Sequence, residues 1–265
     1  MNKDKRLEAF GRLLDVMDEL RVKCPWDRVQ TFESLRSSTI EETYELVDAL
    51  LDHDMKNVKK ELGDLLLHVI FYSKIASEEG AFDIADVADT ECDKLIFRHP
   101  HIFGAVHADT PDEVKQNWED LKLKEKEKEH EKKRVLSGVP RTLPSLVKAY
   151  RISQKAASAG FDWETKEDIW SKVQEEISEV QAAMQSGDEV NKEEEFGDLL
   201  FALVNAARLY GVNAETALEK CNKKFISRFT YIEEQAEKQG LSLRELSLAE
   251  MENWWRKEKN KAKEK

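Results

Sequence analysis

A chain of 265 residues, 40% hydrophobic and 36% charged, is long enough for one large domain or two modest ones with real cores. Its net charge of −12 argues against nucleic-acid binding, which needs a basic stripe. No apolar run approaches the roughly 20 residues of a membrane span, and the opening MNKDKRLEAFGRLL has no apolar signal core, so a cytoplasmic protein without membrane contact is expected. Only 10 glycines and 5 prolines interrupt a sequence rich in Glu, Lys, Leu and Ala, which points to an all-α fold. Three widely spaced cysteines, Cys24, Cys92 and Cys221, offer neither a disulfide framework nor a CxxC pair, as suits a reducing compartment.

Along the chain, the first helical pattern with chemistry in it runs through EETYELVDAL, residues 41 to 50, where Leu46, Val47 and Leu50 supply the apolar positions. A turn is expected near Asp52 to Asp54, and then a helix over 56–77 carrying Glu61 and Asp64. HPHIFG, with His99 and His101 flanking Pro100 and His107 following, reads as a structured loop without metal-ligand spacing. The run KLKEKEKEHEKKR, 122 to 134, alternates in sign and reads as a solvated helix. Gly138, Pro140 and Pro144 then break the chain.

Beyond this linker the pattern starts again. Val173, Ile177, Val180 and Met184 recur at helical spacing, Ser186, Gly187 and Asp188 turn the chain, and a helix from Lys192 to about Tyr210 stops at Gly211. Glu41, Glu42 and Glu45 recur as Glu175, Glu176 and Glu179, and Glu61 and Asp64 recur as Glu195 and Asp198, each 134 residues later. GDLL at 63–66 returns at 197–200. Lys94, Ile96 and Arg98 are echoed by Lys224, Ile226 and Arg228 at an offset of 130, with Cys92 opposite Asn222. Repeats of this kind are duplicated packing units. The expected organisation is a helical unit over 1–120, a charged helix and linker over 121–144, and a second helical unit over 145–265.

Residues three apart share a helical face, so Glu176 with Glu179, and Glu195 with Asp198, point together from two helices that a short turn makes neighbours. Glu42, Glu45, Glu61 and Asp64 make the same arrangement in the first unit. Four bare carboxylates repel and raise one another's pKa values. Divalent cations relieve that repulsion, and all-oxygen ligands suit Mg²⁺, with Mn²⁺ as a substitute. An isolated ExxE is more often a solvated helix face; here the pattern recurs in register beside apolar stripes. Such a centre suits phosphoanhydride hydrolysis, with Glu175 a candidate to orient or deprotonate water. Lys155, Lys192, Lys224 and Arg228 are candidate phosphate contacts, although each alone is more often a surface charge. Asn222 is a candidate for a base, sugar or phosphate. Phe161, Trp163 and Trp254 are candidates for stacking on a base, with core packing the default for any one aromatic. No Walker A loop, GxGxxG or HExxH is present.

The motifs CPWDRVQTFESL (24–35), EETYELVDAL, KELGDLLLHVIF (60–71) and FRHPHIFG (97–104), followed by GFDW, EEISEV, EFGDLLFAL and KFISRF (224–229), together resemble the MazG family of nucleoside triphosphate pyrophosphohydrolases over nearly the whole chain. The resemblance implies tandem helical bundles related to dimeric dUTPases, Mg²⁺-dependent cleavage between the α and β phosphates of nucleoside triphosphates, and a homodimer. Carried over position by position, it makes Glu176, Glu179, Glu195 and Asp198 metal ligands, Lys192, Lys224 and Arg228 phosphate contacts, and Trp254 a nucleotide contact. It also implies that the second unit is the principal catalytic one, with the first active, weak or mainly for dimerisation. The competing readings are a narrower dUTP, dCTP or damaged-nucleotide pyrophosphatase, and a non-catalytic helical dimerisation or regulatory module.

Overall fold

The computed structural model describes residues 3–104, 106, 110, 113, 114, 117, 121, 134–187 and 189–261. Most of the charged run at 122–134, together with His107 and Asp188, lies outside the described residues. Ten helices and no strand are found among those described. The chain divides into two compact units, Met1–Lys124 and Glu125–Lys265.

In the first unit, α1 (Lys3–Lys23) leads to α2 (Phe32–Leu51), α3 (Met55–Glu78), α4 (Ile84–Arg98) and the single turn α5 (Pro100–Phe103), which is the form HPHIFG takes. The starts are written in side-chain oxygens. Thr31 caps α2 by accepting from the Ser34 amide, Asp54 caps α3 by accepting from Lys56 and Asn57, and Asp83 caps α4 by accepting from Ala85 and Asp86. Each satisfies amide donors that a helix N-terminus otherwise leaves unpaired. The three residues between α2 and α3 fold them back on each other as neighbours. Their core is Met17, Leu35, Ile70, Phe71 and Ile75. Arg21 ties α1 to this core, pairing with Glu78 at 3.0 Å, donating to the Asp27 and Gln30 carbonyls and lying 5.7 Å from the centre of the Phe71 ring.

In the second unit, a 3₁₀ turn at Val135–Gly138 precedes α6 (Ser145–Ser158), α7 (Ile169–Ser186), α8 (Glu189–Leu209), α9 (Ala214–Lys238) and α10 (Leu248–Lys261). Helix α8 begins one turn before the expected Lys192. Gly187, at φ +78°, supplies a left-handed residue that ends α7. Helices α7 and α8 pack through Ile169, Val173, Ala202 and Ala206, and α6 packs on α8. A second cluster joins α9 to α10 through Ile232, Ala236, Leu246 and Trp254. No helix among the described residues is long and apolar enough to cross a membrane.

Candidate active site

Helix α7 presents Glu176 and Glu179 on one face, and α8 presents Glu195 opposite them. Carboxylate oxygens of the three lie within 4.8 Å of one another. Glu176 is only 4% exposed, and its Oε2 has no hydrogen-bond partner. A desolvated carboxylate oxygen without a donor is costly, so the position calls for a cation. Part of that need is met by Lys172, one turn back on α7, whose Nζ lies 2.7 Å from Glu176 and 2.8 Å from Glu175. These pairs hold the Lys172 pKa well above its ordinary value. The Glu179 carboxyl is pushed up by burial, by its hydrogen bond with Glu176 and by the charges of Glu176 and Glu195, against the opposing pull of Lys172. Asp198 is not one of the three clustered acids; it lines the cavity beside them together with Glu176.

The first unit repeats the cluster. Oxygens of Glu42, Glu45 and Glu61 also lie within 4.8 Å of one another, Glu61 is 4% exposed, and Oε2 of Glu42 and of Glu61 are buried without partners. The Glu42 carboxyl is raised chiefly by burial, then by the charges of Asp64, Glu45 and Glu61. Here the ammonium comes from Lys60 on α3, 3.0 Å from Glu61 and 3.7 Å from both Glu45 and Asp64. At the 134-residue offset, Lys60 corresponds to Glu194 and Lys172 to Ser38. The two clusters therefore take their ammonium from different helices. Both sets, hard carboxylate oxygens with buried members lacking donors, fit a divalent ion of the Mg²⁺ or Mn²⁺ type.

Beside the acids of the second unit lies a cavity of about 810 Å³. Glu176, Asp198 and Lys172 line it, as do Phe161, Trp163 and Phe201. Its walls also hold Ser153 on α6 and Asn205 on α8. The Arg208 guanidinium forks onto both carboxylate oxygens of Asp162 and donates from Nε to Asn205 Oδ1 at 2.8 Å. Positions 202 and 206, both alanine, correspond at the 134-residue offset to His68 and Tyr72. In the first unit those two side chains are large and joined through Thr39, whose hydroxyl lies 2.6 Å from His68 Nδ1 and 2.7 Å from the Tyr72 hydroxyl.

The other sequence candidates stand outside this cavity. Lys192 is paired with Glu189 at 2.6 Å. Lys155 reaches back to the Val135 carbonyl at 3.5 Å, against the 3₁₀ turn. Asn222 donates to Glu219 at 3.2 Å. Lys224 and Arg228 stand one turn apart on α9, with Arg228 5.3 Å from the centre of the Trp255 ring. Trp254 is a correction: it is 8% exposed and packed into the α9–α10 core, while the adjacent Trp255 sits edge-on to Phe225 and faces Arg228. Consecutive helical residues point about 100° apart, so one indole serves the core and the other does not. The pairing residues Lys60 and Lys172, and the Asp162–Arg208–Asn205 chain, were not among the sequence candidates. The i, i+4 spacing of Lys60 to Asp64 and of Lys172 to Glu176 was their available signal.

Comparison with known proteins agrees with this geometry. The MazG nucleotide pyrophosphohydrolase domain matches twice, over residues 30–103 and 164–232. A Thermotoga maritima protein, nucleoside triphosphate pyrophosphohydrolase/pyrophosphatase MazG, is 43% identical over 94% of this chain and 95% of its own length. The Escherichia coli K12 nucleoside triphosphate pyrophosphohydrolase is 42% identical over 96% of this chain and 98% of its own length. YabN of Bacillus subtilis is 43% identical over 96% of this chain, which spans 52% of that longer protein.

Proposed function

The chain belongs to the MazG family of nucleotide pyrophosphohydrolases and is a nucleoside triphosphate pyrophosphohydrolase; from that premise we propose that the second unit carries the main reaction, cleaving between the α and β phosphates with Mg²⁺ held by Glu176, Glu179, Glu195 and Asp198. The observation that carries this reading is the partnerless, buried Oε2 of Glu176 at the wall of a nucleotide-sized cavity. Bound there, Mg²⁺ supplies charge neutralisation at the phosphates and an acidified water. The chain's own groups do the rest. Lys172, already drawn among the acids, is positioned to turn its ammonium onto a phosphate oxygen when a metal satisfies Glu176. Glu175, exposed and paired with Lys172 beside Glu176, is proposed to orient water or accept its proton.

Lys192, Lys224 and Arg228 are proposed as further phosphate contacts on the strength of the family pattern. Mn²⁺ is expected to substitute for Mg²⁺. The assembly is read as a homodimer in the cytoplasm. Exposed Phe196, Leu200, Phe225 and Ile226 support the dimer, and three unpaired cysteines fit the compartment. The division into units near residues 120–145 is likewise read as a functional boundary.

The test is product analysis with ATP and dUTP, with and without Mg²⁺. Nucleoside monophosphate and pyrophosphate, lost in Glu195→Gln and kept in Glu61→Gln, are the expected outcome. Loss only when the two substitutions are combined would mean that both units turn over substrate. Nucleoside diphosphate and phosphate would refute α–β cleavage.

A further inference from the structure

The cavity of the second unit has polar wall groups that the acids do not explain. Ser153 is 5% exposed, and its hydroxyl has no hydrogen-bond partner at a cavity wall that is otherwise largely apolar. Asn205 has a fixed orientation for a simple reason. A guanidinium can only donate, so the amide atom facing Arg208 Nε at 2.8 Å must be oxygen. The NH₂ is left for whatever enters the cavity. Arg208 is in turn held by the two oxygens of Asp162, which fixes its Nε–H, so a flipped amide would set its NH₂ against that N–H, donor against donor, and lose the bond.

The spacing suits a nucleotide. Asn205 stands seven residues after Asp198 on α8, about 10 Å along the helix at ~1.5 Å per residue. That is roughly the reach from an α-phosphate at the acids to the far edge of a base. Phe161, Trp163 and Phe201 also line the cavity, flat side chains suited to a base's faces. The hollow is not generic to the repeat. At the corresponding positions of the first unit, His68 and Tyr72 stand in place of Ala202 and Ala206 and are hydrogen-bonded through Thr39.

We propose that this cavity holds the nucleoside of the substrate and that Asn205, locked by Arg208 and Asp162, reads a carbonyl on the base edge, with the Ser153 hydroxyl as its second contact. The assignment rests on the hydrolase reading above. Asn205 and Ser153 touch the base, and Arg208 and Asp162 are positioning residues. An amide NH₂ facing an amino group finds no acceptor there, whereas a carbonyl satisfies it. Oxo-bases such as hypoxanthine are therefore favoured over adenine.

ITP and ATP are nearly identical in shape and differ at one base edge, 6-oxo with N1–H against 6-amino with a bare N1, which makes them the probes. Pyrophosphate release is measured on the full chain with Mg²⁺. The wild type is expected to favour ITP by about tenfold or more in kcat/KM, as loss of a hydrogen bond at a buried site commonly costs. Asn205→Asp keeps the shape, presents oxygen instead of NH₂, and is expected to erase or invert that ratio. Arg208→Lys is expected to reduce the ratio by freeing the amide, an effect that a purely structural role would not produce. A wild-type ratio near one, or an unchanged ratio in Asn205→Asp at wild-type Tm, overturns the proposal while leaving the hydrolase reading standing. No turnover of either nucleotide, with dUTP or dCTP still cleaved, overturns this proposal in favour of the narrower pyrophosphatase; no turnover of any of the four defeats the hydrolase reading as well. Should Asn205→Asp fail to fold, Ser153→Ala carries the test: a raised KM for ITP supports the assignment, and an unchanged KM sinks it.

Discussion

His68 shows how one residue in the first unit couples chemistry to folding. It is 8% exposed, with Nδ1 against the Thr39 hydroxyl, and burial lowers its pKa below the ordinary 6.5, with Asp64 pulling weakly the other way. Above pH 6.5 the ring is neutral in both folded and unfolded chains and costs nothing. As pH falls below 6.5 the unfolded chain takes up a proton that the folded ring resists, so stability is lost toward the depressed folded pKa. His68→Gln should flatten that part of the Tm–pH profile, read by thermal melts of both proteins from pH 7.5 down to about 5. Glu42 has the opposite shift: its raised carboxyl makes the cluster less stable as pH rises through its titration. At this scale the clustered acids were legible, because a 134-residue offset repeated five of them in register. The ammonium groups among them were not, since Lys60 and Lys172 occupy non-equivalent positions and a repeat comparison cancels whatever differs. Trp254 was misassigned for a related reason: two adjacent indoles give no sequence signal for which of them faces inward.

Between elements, the α2–α3 hairpin is the part that sequence specifies best. Asp54 ends one helix's connection and starts the next by accepting the Lys56 and Asn57 amides at 3.1 and 3.2 Å. Asp54→Ala should cost ~1 kcal/mol, measured as a drop in unfolding free energy of the full chain in urea, and should leave pyrophosphate release unchanged if the second unit carries the main reaction. Phe71→Ala, which empties a side chain 2% exposed in the same hairpin's core, should cost about 3–5 kcal/mol by the same measurement. The contrast separates a local backbone contribution from packing. The hydrophobic period placed α3 to within a residue at each end, 56–77 expected against Met55–Glu78 observed. Sequence places the start of α8 at Lys192, one turn late, because Glu189, Val190 and Asn191 carry no apolar period of their own next to the Gly187 turn. The Asp162–Arg208–Asn205 chain was invisible for a different reason: 46 residues separate Asp162 from Arg208, and no local pattern records such a contact.

For the molecule as a whole, every described residue of the second acid cluster and its cavity comes from the second unit. A chain beginning near residue 125 should therefore keep Mg²⁺-dependent pyrophosphate release. The check is expression of that fragment beside the full chain, with product analysis of both. A folded fragment without turnover would show that the first unit contributes to the site. The duplication itself was fully legible from the acids. The hollowness of one copy was not, because it depends on what a small residue such as Ala202 leaves empty rather than on any group it presents.

Ala202 carries a consequence for how the chain can change over generations. Ala202, at the cavity wall, helps to maintain a void that packing energy works against, since filling a cavity generally stabilises a core. In one copy, the larger side chain at the matching position has settled into a hydrogen-bonded cluster; in the other, the same drift would strengthen the fold and close the pocket. Mutations to bulkier residues there would be invisible to any selection for folding alone. Persistence of the hollow then reports selection on the ligand it admits, and a screen for thermostable variants of this chain would be expected to lose activity first at Ala202.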